Sequence, residues 1–431
     1  MQYFSTNKNS PGVNFKEAAI HGQPPDKGLY FPESIPVLPE HFIKNIENYS
    51  NEEIAFQVIR PYTGDTIPQD ILRRIVKETI DFPIPLVPVT EQISSLELYH
   101  GPTLAFKDIG ARFMSRCLSY FVHGLEKKVT VLVATSGDTG GAVANGFYDV
   151  PGIDVVILYP SGKVSEVQEK QLTALGKNIR ALEVRGTFDD CQRMVKDAFA
   201  DKELTDQLFL TSANSINVAR WLPQQFYYFF AYKQWKDKND PPVISVPSGN
   251  FGNICAGVLA HASGLPVKHF IAACNANDAV PRFLTTGNYT PHKAIATISN
   301  AMDVGDPSNF GRLLAIFSGD DDRLKKYLSA TDITDEQTRN TIKKVFTENN
   351  YLLDPHGAVA WLALEEYLAE NPAQKGFILE TAHPVKFDSV VQPLIDTKIP
   401  VPEGIKEQSV KKKISVMMGT EYSELRDFLN K

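Results

Sequence analysis

From about residue 95 the chain repeats one pattern. A short apolar run rich in β-branched residues is followed by a turn, then by a segment with helical spacing. Val129–Ala134, Val155–Tyr159, Ala181–Val184, Leu208–Thr211, Val243–Val246, Phe270–Cys274 and Gly376–Leu379 read as strands. Ile109–Phe121, Gly141–Tyr148, Val164–Leu175, Phe188–Phe199, Asn217–Trp235 and Ile254–His261 read as helices. Repeated β–turn–α units imply doubly wound parallel sheets with helices on both faces, an α/β fold. Ligands of such sheets gather at the carboxyl ends of strands. Three of those ends carry Gly/Ser/Asn-rich turns: ATSGDTGG at 134–141, SANSIN at 212–217 and PSGNFGN at 247–253.

Before this region, residues 1 to about 80 read as a small, mostly helical domain, with helical spacing in Asn48–Ile59 and Pro68–Phe82 and a short buried strand or turn in GLYFPE at 28–33. DFPIPLVPV at 81–89 holds three prolines and suits an extended crossing segment. The expected division is therefore 1–92, 93–220 and 221–431, with segments free to exchange between the last two. Residues 275–355 are less regular and contain NAND and SNAMD. GDDDRLKK at 319–326 and KEQSVKKK at 406–413 read as solvated faces.

Composition narrows the function classes. At 431 residues the chain can bury a large core. Its net charge of −7, with no basic block, argues against a nucleic-acid surface. No apolar run approaches the roughly 18 residues of a membrane span, and MQYFSTNKNS lacks a signal-peptide core. The four cysteines are scattered without a CxxC pair, which fits reduced thiols in a cytoplasmic protein and no metal site.

HGPTLAFKD at 100–108 holds the oddest charge. Lys107 follows Leu104, Ala105 and Phe106 and precedes Asp108 and Ile109. A lysine buried in such a run is costly unless it is paired or loses its proton, and the neutral amine is the form that condenses with carbonyls. Taken alone, a helix-start lysine whose stem reaches water explains the segment as well.

The turns supply the other candidates. PSGNFGN brings two glycines to a helix start, a phosphate cradle by mechanism and equally an ordinary tight turn. In ATSGDTGG, Thr135, Ser136 and Thr139 suit a carboxylate, while Ser136, Asp138 or Thr139 could equally cap the helix. Arg220 follows SANSIN closely and makes a second anion site or a plain surface arginine. ETAHP at 380–384 closes a late strand and offers the Thr381 hydroxyl. One odd lysine, two phosphate sites and a carboxylate turn together point to an amino acid, a phosphate ester and pyridoxal 5'-phosphate.

HGPTLAFKD, ATSGDTG, TSANSIN, PSGNFGN and ETAHP, in this order and spacing, resemble the threonine synthase family. GLYFPE and TGDTIP are similar to its longer bacterial and fungal class, and the likeness runs from about Tyr30 to Phe387. The resemblance implies the fold-type II architecture of pyridoxal-phosphate enzymes, with the cofactor between two doubly wound domains. It implies conversion of O-phosphohomoserine to threonine. It makes Lys107 the Schiff-base lysine and proton shuttle. Gly249, Asn250, Phe251, Gly252 and Asn253 would hold the cofactor phosphate, and Thr381 the pyridine nitrogen. Thr135, Ser136, Asp138 and Thr139 would meet the substrate carboxylate and the cofactor's phenolic edge. Asn214, Ser215, Arg220 and Asn250 would grip the substrate phosphate. The wider fold group usually carries Asn where this chain has Asp138. A carboxylate there repels the phenolic oxyanion unless one of the two is protonated or a donor bridges them.

Two other readings stand beside this one: a threonine or serine dehydratase or β-replacement enzyme of the same fold group, and a non-catalytic phosphometabolite-binding protein. A monomer or homodimer is expected.

Overall fold

The computed structural model describes residues 1–123 and 128–431. Its strands are β1 (Gln2–Ser5), β2 (Val13–Asn14), β3 (Tyr30–Pro32), β4 (Leu86–Pro88), β5 (Ile93–Glu97), β6 (Val129–Ala134), β7 (Ile153–Pro160), β8 (Ile179–Val184), β9 (Phe209–Thr211), β10 (Val243–Pro247), β11 (His269–Cys274), β12 (Leu328–Asp332), β13 (Gly376–Glu380) and β14 (Val416–Met418). They form a small antiparallel sheet, β2–β1–β3, and two larger ones. The six-stranded sheet runs β12–β11–β10–β13–β5–β4, parallel except for β4. The five-stranded sheet runs β14–β8–β7–β6–β9 and is wholly parallel.

The strands cross the boundaries expected from the sequence. β5, at the start of the presumed first αβ region, lies in the six-stranded sheet beside β13. β14, near the chain's end, returns to the five-stranded sheet beside β8. The amino-terminal region contains a sheet as well as the helices Phe15–His21, Asn51–Thr63 and Gln69–Thr79. The single helix expected over 217–235 is broken into Val218–Trp221, a 3-10 turn at Leu222–Gln224 and Gln225–Gln234. Pro223 lacks the N–H that an uninterrupted helix needs.

Other helix starts follow their caps. Ser165, Thr187 and Thr334 each accept from the backbone three residues on, and Gln168, Asp190 and Gln337 reciprocate to complete capping boxes.

Side-chain alternation along the strands splits the core into layers. Val131, Val133, Val155, Ile157, Ile244 and Val246 face one large cluster that takes in the amino-terminal helices. Ile93, Val243, Ile271 and Ile378 face a second around Trp361. Leu132, Val156, Leu158 and Leu182 face a third. All four cysteines are free and buried. No described helix is long and apolar enough to cross a membrane.

The amino-terminal region also holds loops of the αβ body by polar contacts. Asn217 Nδ2 donates to the Ala19 carbonyl at 2.8 Å, and Arg312 Nε to the Tyr30 carbonyl at 3.1 Å.

Candidate active site

Lys107 is the first residue of the helix Lys107–Val122. The turn before it is held in an unusual shape. Leu104 has φ +57°, a left-handed conformation that costs a non-glycine residue about 1–2 kcal/mol. Its neighbours enforce it. Thr103 donates its N–H and Oγ1 to the Asp108 carboxylate at 2.9 and 2.6 Å. Phe106 N–H donates to the Thr381 carbonyl at 2.9 Å, and His383 N–H to the Leu104 carbonyl at 3.1 Å. HGPTLAFKD and ETAHP are thus stitched together, which brings Lys107 and Thr381 to one place.

The Lys107 side chain keeps 16% of its exposure, and its Nζ lies 3.7 Å from Asp138 Oδ2. Asp138 starts the helix Asp138–Gly146, after β6. Its Oδ1 accepts from Lys386 Nζ at 2.7 Å and Gln168 Nε2 at 3.0 Å. Burial would push the Asp138 carboxyl up, but Lys386, Lys107 and these hydrogen bonds outweigh it and hold it well below the ordinary carboxylate range. Burial pulls the Lys107 amine below its usual value, Asp138 opposes this, and Lys386 and Arg220 reinforce it.

Lys386 escaped the reading of the sequence. Its signal was the one that singled out Lys107, a charge inside an apolar run, here Pro384-Val385-Lys386-Phe387.

The rest of the SGDTG turn divides by role. Thr135 Oγ1 accepts from the N–H groups of Gly137 and Gly140 at 3.0 and 2.8 Å, so its hydroxyl caps the helix. Ser136 and Thr139 are half-buried, and their side chains make no hydrogen bond among the described residues.

Arg220 is 4% exposed. One nitrogen, Nη1, donates to the Ala213 carbonyl at 2.5 Å, while Nε is buried without a partner. Burial lowers its pKa to about 10, with Asp108 partly opposing, so it stays charged. It makes no ion pair among the described residues. A buried guanidinium in this state is a site for an anion. A Cβ on Gly110 would stand 2.6 Å from the Arg220 carbonyl and 3.0 Å from its Nε, so the Lys107 helix and Arg220 approach closely.

Ser215 and Asn250 meet across the two sheets. Asn250 Nδ2 donates to Ser215 Oγ at 2.6 Å, and Asn250 Oδ1 accepts from Ser308 N–H at 2.6 Å. Asn214 is half-buried beside them in sequence. Two further residues support these loops and were missed from the sequence. Asn309 Nδ2 donates to the Asn250 carbonyl at 3.1 Å. Fully buried Arg312 donates to the carbonyls of Ser215 and Ile216, at 3.2 and 2.5 Å, and to Asn309 Oδ1 at 2.9 Å. Arg312 is again a charge among apolar neighbours, Phe310, Leu313 and Leu314.

The loop after β10 is shaped for close approach. Phe251 is left-handed at φ +60° and precedes the helix Gly252–Ala262. That helix makes its first backbone bond from Cys255 N–H to the Phe251 carbonyl, at 3.1 Å. The amides of Gly252, Asn253 and Ile254 are left for another acceptor. Asn253 Nδ2 ties back to the Pro247 carbonyl at 2.8 Å. A free-amide cradle, a mostly buried lysine of reduced proton affinity and an unpaired buried arginine together fit pyridoxal phosphate with a second anion nearby.

Comparisons with known proteins agree with this geometry. The family model described as pyridoxal-phosphate dependent enzyme matches residues 93–379, and that of the threonine synthase N terminus matches residues 2–80. The chain is 43% identical to threonine synthase of Serratia marcescens, with 100% of this chain and 99% of that one covered. The crystal structure of threonine synthase from Escherichia coli superposes with a TM-score of 0.93 at 41% identity, over 100% of this chain and 99% of that one. The crystal structure of PLP-bound threonine synthase from Brucella melitensis superposes with a TM-score of 0.93 at 34% identity, over 100% and 98%. With the whole chain matched and both regions accounted for, the chain belongs to the threonine synthase family of pyridoxal-phosphate-dependent enzymes.

Proposed function

We propose that this chain converts O-phospho-L-homoserine and water to L-threonine and phosphate, with Lys107 as the proton-transferring amine. When bound, pyridoxal phosphate supplies an aldehyde that captures amines and a ring that withdraws electrons from the captured carbon. In this reading Lys107 Nζ holds the cofactor covalently, the amides after Phe251 hold its phosphate, and the Thr381 hydroxyl meets its ring nitrogen. A neutral hydroxyl there does not keep that nitrogen protonated, which moderates electron withdrawal.

The chain's own groups divide the remaining work. Ser136 and Thr139, with hydroxyls uncommitted to protein partners, bind and orient the substrate carboxylate. Asn214, Ser215, Arg220 and Asn250 grip the substrate phosphate, and their hold strengthens as charge moves onto the leaving group at Cγ. Lys107, as a neutral amine, would take the proton from Cα and one from Cβ as phosphate departs from Cγ, return a proton to Cγ, and give one back to Cα as the water oxygen bonds to Cβ.

The observation that carries this reading is the juxtaposition of Lys107 with Arg220, a buried cation with an unpartnered Nε. A dehydratase acting on serine or threonine has no phosphate to place there. The test supplies O-phosphohomoserine to the purified holoenzyme and quantifies phosphate and threonine. Both are expected in equal amounts. Arg220→Ala is expected to depress that turnover far more than any deamination of serine. Absence of threonine, together with release of a 2-oxo acid from serine or threonine, would instead assign the chain to the dehydratases.

A further inference from the structure

Lys386 is the only fully buried lysine among the described residues. It lies in the turn Pro384–Phe387, after β13. Its Nζ donates to Asp138 Oδ1 at 2.7 Å and to the Thr103 carbonyl at 2.8 Å. Thr103 belongs to the turn that presents Lys107, and the other oxygen of Asp138 lies 3.7 Å from Lys107 Nζ. Asp138 therefore stands between two amines and is closer to Lys386. A buried carboxylate so near an amine, acting alone, would hold it as the ammonium, because an opposite charge within about 4–6 Å favours the charged form. An ammonium neither accepts a proton nor attacks a carbonyl.

We propose that Lys386 is a positioning residue for Lys107: by pairing with Asp138 it cancels the carboxylate's hold on the neighbouring amine, and by binding Thr103 it anchors the turn that presents that amine. The proposal rests on the reading of Lys107 as the reacting group. It also answers the difficulty of an aspartate in place of asparagine. Lys386 supplies the counter-charge to that buried carboxylate, on the oxygen turned away from Lys107.

The charges around the pair set the expected signs. Lys107 is faced by Asp138 from the helix after β6, by Lys386 from the turn after β13 and by Arg220 from the helix after β9. Lys386 is faced in addition by Asp108 and by His383. Asp138 is the anion paired with Lys107, so its degree of neutralisation governs the Lys107 proton.

The test uses full-length wild type, Lys386→Met, Lys386→Arg and Asp138→Asn, each stripped of cofactor and checked for folding by circular dichroism. Trace acetic anhydride is applied across about pH 6–11, and acetylation of Lys107 is read by peptide mass spectrometry to give its titration midpoint. Lys386→Met is expected to raise that midpoint by about one unit, or about tenfold less labelling on the acid side. Lys386→Arg, which keeps the charge, is expected to leave it near wild type. Asp138→Asn is expected to lower it. Loosened packing would move every variant toward the ordinary lysine value of about 10.4, so shifts of opposite sign cannot arise that way. A midpoint unchanged or lowered in Lys386→Met overturns the proposal. If Lys386→Met does not fold, Asp138→Asn decides, and a midpoint unchanged or raised there overturns it. Labelling does not depend on turnover, so a chain that forms no threonine yet shows these shifts refutes the functional reading and keeps this one.

Discussion

Asn250 Nδ2 stands 2.6 Å from Ser215 Oγ, and this bond joins the loop after β10 in one sheet to the loop after β9 in the other. The loop of backbone amides and the loop that carries Arg220 thus share a side chain. Asn250→Ala removes that link and a proposed donor to the substrate phosphate. A hydrogen bond to a charged group contributes about 1.5–3 kcal/mol, so kcat/KM for O-phosphohomoserine should fall by about 10- to 100-fold. Cofactor affinity should weaken in the same variant, because Asn250 Oδ1 also holds Ser308 N–H. Steady-state kinetics and a cofactor titration check both effects. Unchanged values in both would remove Asn250 from the site.

Gly249→Ala tests the cradle itself. A Cβ at Gly249 would lie 2.5 Å from the Met302 Cα. That segment has little room to yield. Ala301 N–H donates to His356 Nε2 at 3.2 Å, and Asp303 accepts from Thr297 Oγ1 and Asn275 Nδ2 at 2.7 and 2.9 Å. Overpacking against fixed backbone costs about 1–3 kcal/mol. The variant should show a lower urea midpoint and a weaker cofactor complex. A variant as stable as wild type, with unaltered cofactor binding, would show that the Met302 segment is free to move.

Acid should loosen the carboxyl-terminal strand first. Glu183 accepts from Ser161 Oγ, Tyr159 OH and Ser415 Oγ at 2.7, 3.1 and 3.1 Å, and pairs with Lys413 at 2.7 Å. Burial would push its carboxyl up, but Lys413 and the hydroxyls outweigh this and bring it to about 2. The folded value lies below the unfolded one of about 4.3. The stabilisation is therefore fully present above the unfolded value and is lost as pH falls through the folded one, between about pH 4.3 and 2. It should amount to about 1–2 kcal/mol once solvent screening is allowed for. Hydrogen exchange in β14 should rise in that window, and Glu183→Gln should flatten the dependence. The same slope in Glu183→Gln as in wild type would place the acid lability elsewhere.

Much of this architecture is legible in local pattern, and its gaps have physical causes. β6 coincides with the run Val129–Ala134 because a strand buried on both faces needs an unbroken apolar, β-branched run. Leu328–Asp332 has no such run. It forms β12 only because β11 offers a free edge, with Ala272 opposite Ala330, and it lies in the stretch 275–355 that reads as less regular. β14 is likewise made by a partner far away in the chain, Glu183 opposite Met417. The same holds at the site. Residues in Gly/Ser/Asn-rich strand ends announced themselves through composition. Lys386, Asn309 and Arg312 act by contacts across the sheets, which local spacing does not reveal. A single charge embedded in an apolar run marks Lys107, Lys386 and Arg312 alike.

Lys107→Ala should separate folding from chemistry. The nearer partner of Asp138 is Lys386 at 2.7 Å, not Lys107 at 3.7 Å, so removing Lys107 leaves no unpaired buried carboxylate. Losing a single partner would otherwise cost about 3–5 kcal/mol. Burial also disfavours the charged form of Lys107, so its ammonium is a strained feature of the folded chain. The variant should therefore fold with a urea midpoint equal to wild type or slightly above it. Turnover should fall by at least about 10³-fold, since both covalent attachment and proton transfer are assigned to one amine. Borohydride treatment of wild type in the presence of pyridoxal phosphate should fix the label on the peptide containing Lys107, and the variant should take up none. A variant that unfolds would show that Lys107 is needed for the Asp138 pair to form. A folded variant that retains turnover would move the reacting amine to another lysine, with Lys386 the first to examine because it shares the same carboxylate.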